Sequence, residues 1–170
     1  MAIVFVTGAT GFIGKQLIGQ LVKNGHTVLA LIRSRQRWEQ ALGRMTAEEK
    51  ARCHGLSGDL REEGLGLSSE DYERVLHADV IIHAGVPMDI SLEESVARRV
   101  ILQGASHLLA LAKELQAQNR LHKLIHVVGY MSPYDDESGK MEQDVFAETP
   151  EWKEAGGYEK YKFLADLLLR

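Results

Sequence analysis

The chain has 170 residues, 45% of them hydrophobic and 26% charged, with a net charge of −4. That length holds one domain with a buried core, and the acidic balance gives no broad electrostatic reason to bind nucleic acid. The single cysteine, Cys53, excludes an internal disulfide and fits a reducing compartment.

The first element is an apolar, β-branched run, Ala2 to Val6, which reads as a strand buried on both faces. It is too short to span a membrane and is followed by glycines instead of a cleavage site, so a cytoplasmic location is expected. Ile13, Leu17, Ile18, Leu21 and Val22 recur at helical spacing, and Asn24-Gly25 ends that helix. Thr27 to Ile32 is the second strand. Residues 36–53 are charged and predicted helical, and Cys53 to Ser57 is a short third strand ending at Gly58-Asp59-Leu60. Residues 68–77 form a short helix capped by Ser68 or Ser69. Ala78 to His83 is the fourth strand, residues 91–118 a long helix and Lys123 to Val128 the fifth strand. The stretch 131–155 is polar, acidic and loop-rich, and a helix starts near 157. Alternating β and α units imply an α/β fold: a Rossmann doubly wound parallel sheet with helices on both faces, binding ligand at the carboxyl ends of its strands.

Between the first strand and first helix runs Thr7-Gly8-Ala9-Thr10-Gly11-Phe12-Ile13-Gly14. This is a dinucleotide-binding fingerprint with one extra residue between its first two glycines. Gly8 permits the tight turn, Gly11 lets the backbone approach a pyrophosphate, and Gly14 lets helix and strand pack closely. The helix N-terminus adds free N–H groups and a partial positive charge. The end of the second strand meets the adenosine ribose in this architecture, and an NAD binder usually places an acid there. Here stand Arg33, Ser34, Arg35 and Arg37, with no acid between His26 and Trp38. Guanidinium groups suit a 2′-phosphate, so NADP is expected over NAD.

Tyr158 and Lys162 lie four apart at a helix start, on one face. A nearby ammonium favours phenolate, which lets the tyrosine exchange a proton with a carbonyl or alcohol. Tyr161 is a competing phenol, but position 165 is alanine. Together with Gly58-Asp59-Leu60, Val80 to Gly85 and the glycine loop, this pair resembles the extended short-chain dehydrogenase/reductases, which include the epimerase/dehydratase group. Gly64 to Tyr72, leading into His77 to Val80, is similar to the thioester-reductase and fatty-acyl-reductase ("male sterility") branch.

The resemblance implies roles. Gly8, Gly11 and Gly14 would hold the pyrophosphate, Arg33 would sit at the 2′-phosphate, and Asp59 and Leu60 would contact the adenine, with Thr7, Thr10, Phe12, Ile13 and Arg37 as further cofactor-binding residues. Ala84 and Gly85 would lie beside the cofactor toward its nicotinamide side; His83 is a further cofactor-binding candidate, which also reads as a residue ending its strand against the core. Tyr158 would be the general acid or base, and Lys162 would hold the nicotinamide ribose. The family usually has a Ser or Thr just after the fifth strand; here Gly129 occupies that position, and Ser132 is the candidate replacement. An Asn in the long helix is replaced by Ile101. Family members also continue past the Tyr158 helix into a smaller substrate lobe, which is absent from this chain. One domain spanning 1–170, the N-terminal part of a longer reductase, is therefore expected.

The leading expectation is NADPH-dependent reduction of a small-molecule carbonyl or a carrier-bound acyl thioester. The alternatives are a nucleotide-sugar epimerase or dehydratase, and a catalytically impaired cofactor-binding regulatory or scaffold protein. A homodimer could use Phe163, Leu164, Leu167 and Leu168, although the same stripe could be core. No metal site is expected: His122 and His126 straddle a strand, and Cys53 reads as a buried inert thiol.

Overall fold

A computed structural model describes residues 1–128 and 156–170. Five parallel strands form one sheet in the order β3-β2-β1-β4-β5: β1 (Ile3–Thr7), β2 (Thr27–Ile32), β3 (Cys53–Ser57), β4 (Val80–His83) and β5 (Lys123–His126). The strand period of two splits β1 to β4 between two cores. Val4 and Val6 of β1, with Val28, Ala30 and Ile32 of β2, face α1 (Phe12–Lys23) and α2 (Arg35–Leu42). Phe5, Leu29, Leu31 and Ile81 face α4 (Ser69–Val75) and α6 (Gly104–Ala117). Burial on both faces is the reason the inner strands β1, β2 and β4 read as near-continuous apolar runs. The strand order reverses between β2-β1 and β1-β4, which opens the crevice at the carboxyl end of β1.

Three elements differ from the sequence expectation. The predicted helix 36–53 is two helices, because Gly43 ends α2 and Thr46 starts α3 (Ala47–Ala51) with a capping box: the Thr46 hydroxyl accepts from the Glu49 N–H and the Glu49 carboxylate from the Thr46 N–H. The long helix starts at α5 (Glu94–Ala97) and passes through a π segment, Arg98–Gln103, before α6. The extra residue per turn re-aims the apolar stripe. Ile101 and Leu102 turn onto α7 (Gly157–Leu169), while Leu108, Leu111 and Leu115 turn onto the sheet. The third difference is a 3₁₀ turn over Glu63–Gly66, in which Gly64, Leu65 and Gly66 all have positive φ. A left-handed leucine costs about 1–2 kcal/mol. Complete burial of Leu65 beneath α4 and α6 offsets this, because burying a leucine is worth about 1.5–3 kcal/mol. The Leu65 carbonyl also accepts from the Asp59 N–H at 2.7 Å and so fixes the loop after β3.

In α7, Leu164, Leu167 and Leu168 pack inside the chain against Ile101 and Leu102. These three leucines are thus core, while Phe163 of the same stripe is partly buried against that cluster. Cys53 is also buried, and desolvation pushes its thiol up to about 11, an inert state.

Candidate cofactor and catalytic site

The glycine loop crosses from β1 to α1 at the crevice. Gly8 has φ +75°, and a Cβ there would strike the Ala84 carbonyl; Gly11 donates its N–H to the Gly8 carbonyl at 2.9 Å; a Cβ on Gly14 would strike the Gly8 carbonyl and the Ala9 backbone. Gly8 and Gly14 are therefore required by backbone approach, while a Cβ on Gly11 would meet only the Gly8 carbonyl, at 3.2 Å. Gly11 stands at the N-cap of α1 with no side-chain hydrogen bond, and the first turn holds no acid. The opening amides of a 12-residue helix thus face the crevice without a side-chain acceptor among the described residues, a cradle suited to a dinucleotide pyrophosphate. Phe12 and Ile13 are exposed beside it and Thr10 is half-buried.

The exit from β4 closes the other side of this loop. The Ala84 N–H donates to the Thr7 carbonyl at 3.2 Å, and a Cβ on Gly85 would crowd Thr7 and the Gly8 nitrogen. Ala84 and Gly85 therefore lie against the glycine loop. The side chains of Thr7 and His83 point inward, with Thr7 Oγ1 2.7 Å from His83 Nδ1; they tie β1 to β4 and leave only backbone toward the crevice.

At the end of β2, Arg33 and Arg37 are exposed and have no ion-pair partner among the described residues, whereas Arg35 pairs with Glu39 at 3.5 Å. Asp59 stands after β3 in a bidentate pair with Arg61, at 2.6–3.0 Å. That hydrogen bonding, aided by the charges of Arg61 and Arg33, holds its carboxyl below the usual range. The Leu60 side chain is in the core, and its carbonyl lies 2.8 Å from His107 Nδ1.

Helix α7 carries Tyr158 in its first turn and Lys162 one turn later, with the Lys162 Nζ 5.3 Å from the centre of the Tyr158 ring. The start of this helix is docked on α5. Glu94 Oε1 accepts from Lys160 Nζ and from the Tyr161 hydroxyl, both at 3.1 Å, and a Cβ on Gly157 would press on the Glu94 backbone. Tyr161, the competing phenol, is thus a buried anchor. Ser132 and Gly129 lie outside the described residues.

Three features were not anticipated from sequence. Met88 sits beside Tyr158, with the phenol donating to its sulfur at 3.6 Å; no motif marks it. Glu94 anchors α7, a contact made across 66 residues of chain. At the carboxyl ends of adjacent strands, His83 and His126 stack at 5.0 Å, and His126 Nδ1 is 3.6 Å from Asp166, itself held by Arg170 at 2.7 Å. Burial lowers both histidines. The charges of His126 and Lys162 add to the effect on His83, whereas Asp166 opposes it at His126. Among the described residues no group of three His, Cys, Asp or Glu converges as a metal site, and no helix is long and apolar enough to cross a membrane.

Comparison with known proteins gives the context for this site. The male sterility protein family model matches residues 6–170. Aldehyde reductase lnaA of Aspergillus flavus is 32% identical over 121 residues, covering 64% of this chain and 12% of that protein. The fatty acyl-CoA reductase wat of Drosophila melanogaster is 27% identical over 142 residues, covering 73% of this chain and 27% of that protein. In fold, the chain is similar to the terminal R domain of the myxalamid PKS-NRPS biosynthetic pathway, with a TM-score of 0.74 at 24% identity over 99% of this chain and 45% of that one. The chain thus spans about half of that solved structure and a smaller share of the curated relatives. With the fingerprint, the crevice and the matched length in agreement, the chain belongs to the male sterility protein family, a branch of the NAD(P)-binding extended short-chain dehydrogenase/reductases.

Proposed function

We propose that the chain is the NADP-binding half of a reductase that converts an aldehyde, ketone or acyl-thioester carbonyl. The observation that carries this reading is the pairing of a glycine cradle at the β1 crevice with a Tyr158–Lys162 pair 5.3 Å apart on α7. The opening amides of α1 would hold the pyrophosphate, and Arg33 and Arg37 the 2′-phosphate. Ala84 and Gly85, pressed on the loop, would bound the nicotinamide side. Bound NADPH supplies the hydride. Tyr158 gives its phenolic proton to the carbonyl oxygen, and the Lys162 ammonium stabilises the phenolate left behind. Arg33 supports NADP over NAD because a carboxylate at that point would repel the extra phosphate.

A second reading has one specific observation in its favour. Ile101, at the position where the family resemblance implies an asparagine, is fully buried against α7 and offers no polar atom. That favours a domain that binds cofactor and turns over slowly or not at all. Calorimetric titration with NADPH and NADH, followed by NADPH oxidation with an aldehyde, separates the two. Binding with turnover supports the reductase, binding without turnover the second reading, and binding of neither dinucleotide defeats both.

A further inference from the structure

The segment leaving β4 links the glycine loop to the catalytic pair. It starts at Ala84 and Gly85 against the loop, and Val86 then packs into the cluster between α5, the π segment and α7. Farther on, Asp89 Oδ1 accepts from the Ser91 N–H at 2.9 Å and from its hydroxyl at 2.6 Å, closing a turn. Met88, between Val86 and this turn, and Ile90, inside the turn, display their side chains 84% and 80% exposed. The Tyr158 hydroxyl donates to the Met88 sulfur at 3.6 Å. A thioether is a weak acceptor, so a carbonyl oxygen arriving at this phenol would take over the hydrogen bond.

We infer that Met88 is a specificity-determining residue: its sulfur holds the place where a substrate carbonyl oxygen docks on Tyr158, and its displaced side chain lies along an unbranched alkyl substituent of that carbonyl. This rests on the assignment of Tyr158 as proton donor in the proposed function. Methionine suits the task because its unbranched, polarisable side chain adapts to varied apolar chains. A polyhydroxylated carbonyl fits poorly, since its hydroxyl groups would lose water against Met88 without gaining a partner. The ligand class is therefore an aldehyde, ketone or thioester bearing an alkyl chain.

Oxidation of Met88 provides a test that needs no turnover. Hydrogen peroxide converts exposed methionines to sulfoxides, which peptide mass spectrometry quantifies residue by residue. Met1, 96% exposed ahead of β1, is the internal reference. The full chain is titrated with NADP⁺ by calorimetry, then oxidised at saturating NADP⁺ with methyl hexyl ketone, with dihydroxyacetone or with neither. Methyl hexyl ketone should slow Met88 oxidation by about threefold or more relative to Met1, dihydroxyacetone should not, and Tyr158→Phe should remove most of the protection. Equal Met88 rates with and without methyl hexyl ketone overturn the inference, as does equal protection by both ketones or undiminished protection in Tyr158→Phe. NADP⁺ binding with an unprotected Met88 sinks the inference alone, whereas absent NADP⁺ binding sinks the reductase reading and the inference with it.

Discussion

His83 should make the fold sensitive to mild acid. It closes β4 at 2% exposure, bonded to Thr7 and stacked on His126. Burial, then the charges of His126 and Lys162, push its pKa down to about 3. In the unfolded chain a histidine titrates near 6.5. Between those values the unfolded state binds a proton that the native state refuses, so stability is full above about pH 6.5 and is lost as pH falls below it. Linkage from these two values gives a loss of about 2 kcal/mol between pH 7 and pH 5 from His83 alone. Other groups also respond to acid, so the informative quantity is the difference between the natural chain and His83→Asn. Asparagine does not titrate and can still accept from Thr7, while its smaller volume costs stability equally at both pH values. Urea unfolding followed by circular dichroism at pH 7 and pH 5 measures all four stabilities. The variant should lose about 2 kcal/mol less than the natural chain over that interval. A stability gap between the two proteins that stays constant within about 0.5 kcal/mol would refute the buried neutral histidine and the linkage built on it.

Three further outcomes follow from the geometry. Arg33→Ala should weaken NADPH by about tenfold or more while leaving NADH nearly unchanged, measured by calorimetry at fixed salt; equal losses for both cofactors would remove Arg33 from the 2′-phosphate. Gly8→Ala and Gly14→Ala each drive a Cβ into backbone and should cost about 1–3 kcal/mol or more and abolish dinucleotide binding. Gly25→Ala, at φ +82° with open space around it, should cost only about 1–2 kcal/mol and keep binding, as thermal melts and titration would show. Leu65→Ala should cost about 2–5 kcal/mol from the cavity it leaves. Leu65→Gly, which relieves the left-handed strain, should be no less stable than Leu65→Ala; the ordinary alanine-over-glycine order in denaturant melts would contradict the strain assigned to Leu65.

Several departures from the sequence reading have identifiable physical origins. The break after Gly43 is encoded locally, since Thr46 and Glu49 form a capping box at the required spacing. The π segment had no such local sign. Arg98 to Gln103 are ordinary helix formers, and the extra residue arises because the stripe must face α7 at one end and the sheet at the other. Leu65 defies its own backbone preference, which only the depth of its burial explains.

The sequence by itself determined the sheet, its order of elements and the glycine loop, because strand burial on two faces and close backbone approach each demand particular residue types at short range. It also placed Tyr158 and Lys162 on one helix face, since i and i+4 adjacency follows from helix geometry alone. Only the tertiary structure decided what surrounds them. Glu94 anchors α7 through Lys160 and Tyr161, His83 meets His126 across β4 and β5, and Met88 arrives at the Tyr158 hydroxyl from a different segment of chain. These contacts join residues 43 to 70 positions apart. At such separations no periodicity or spacing carries the signal, and the partner is fixed by how the layers pack.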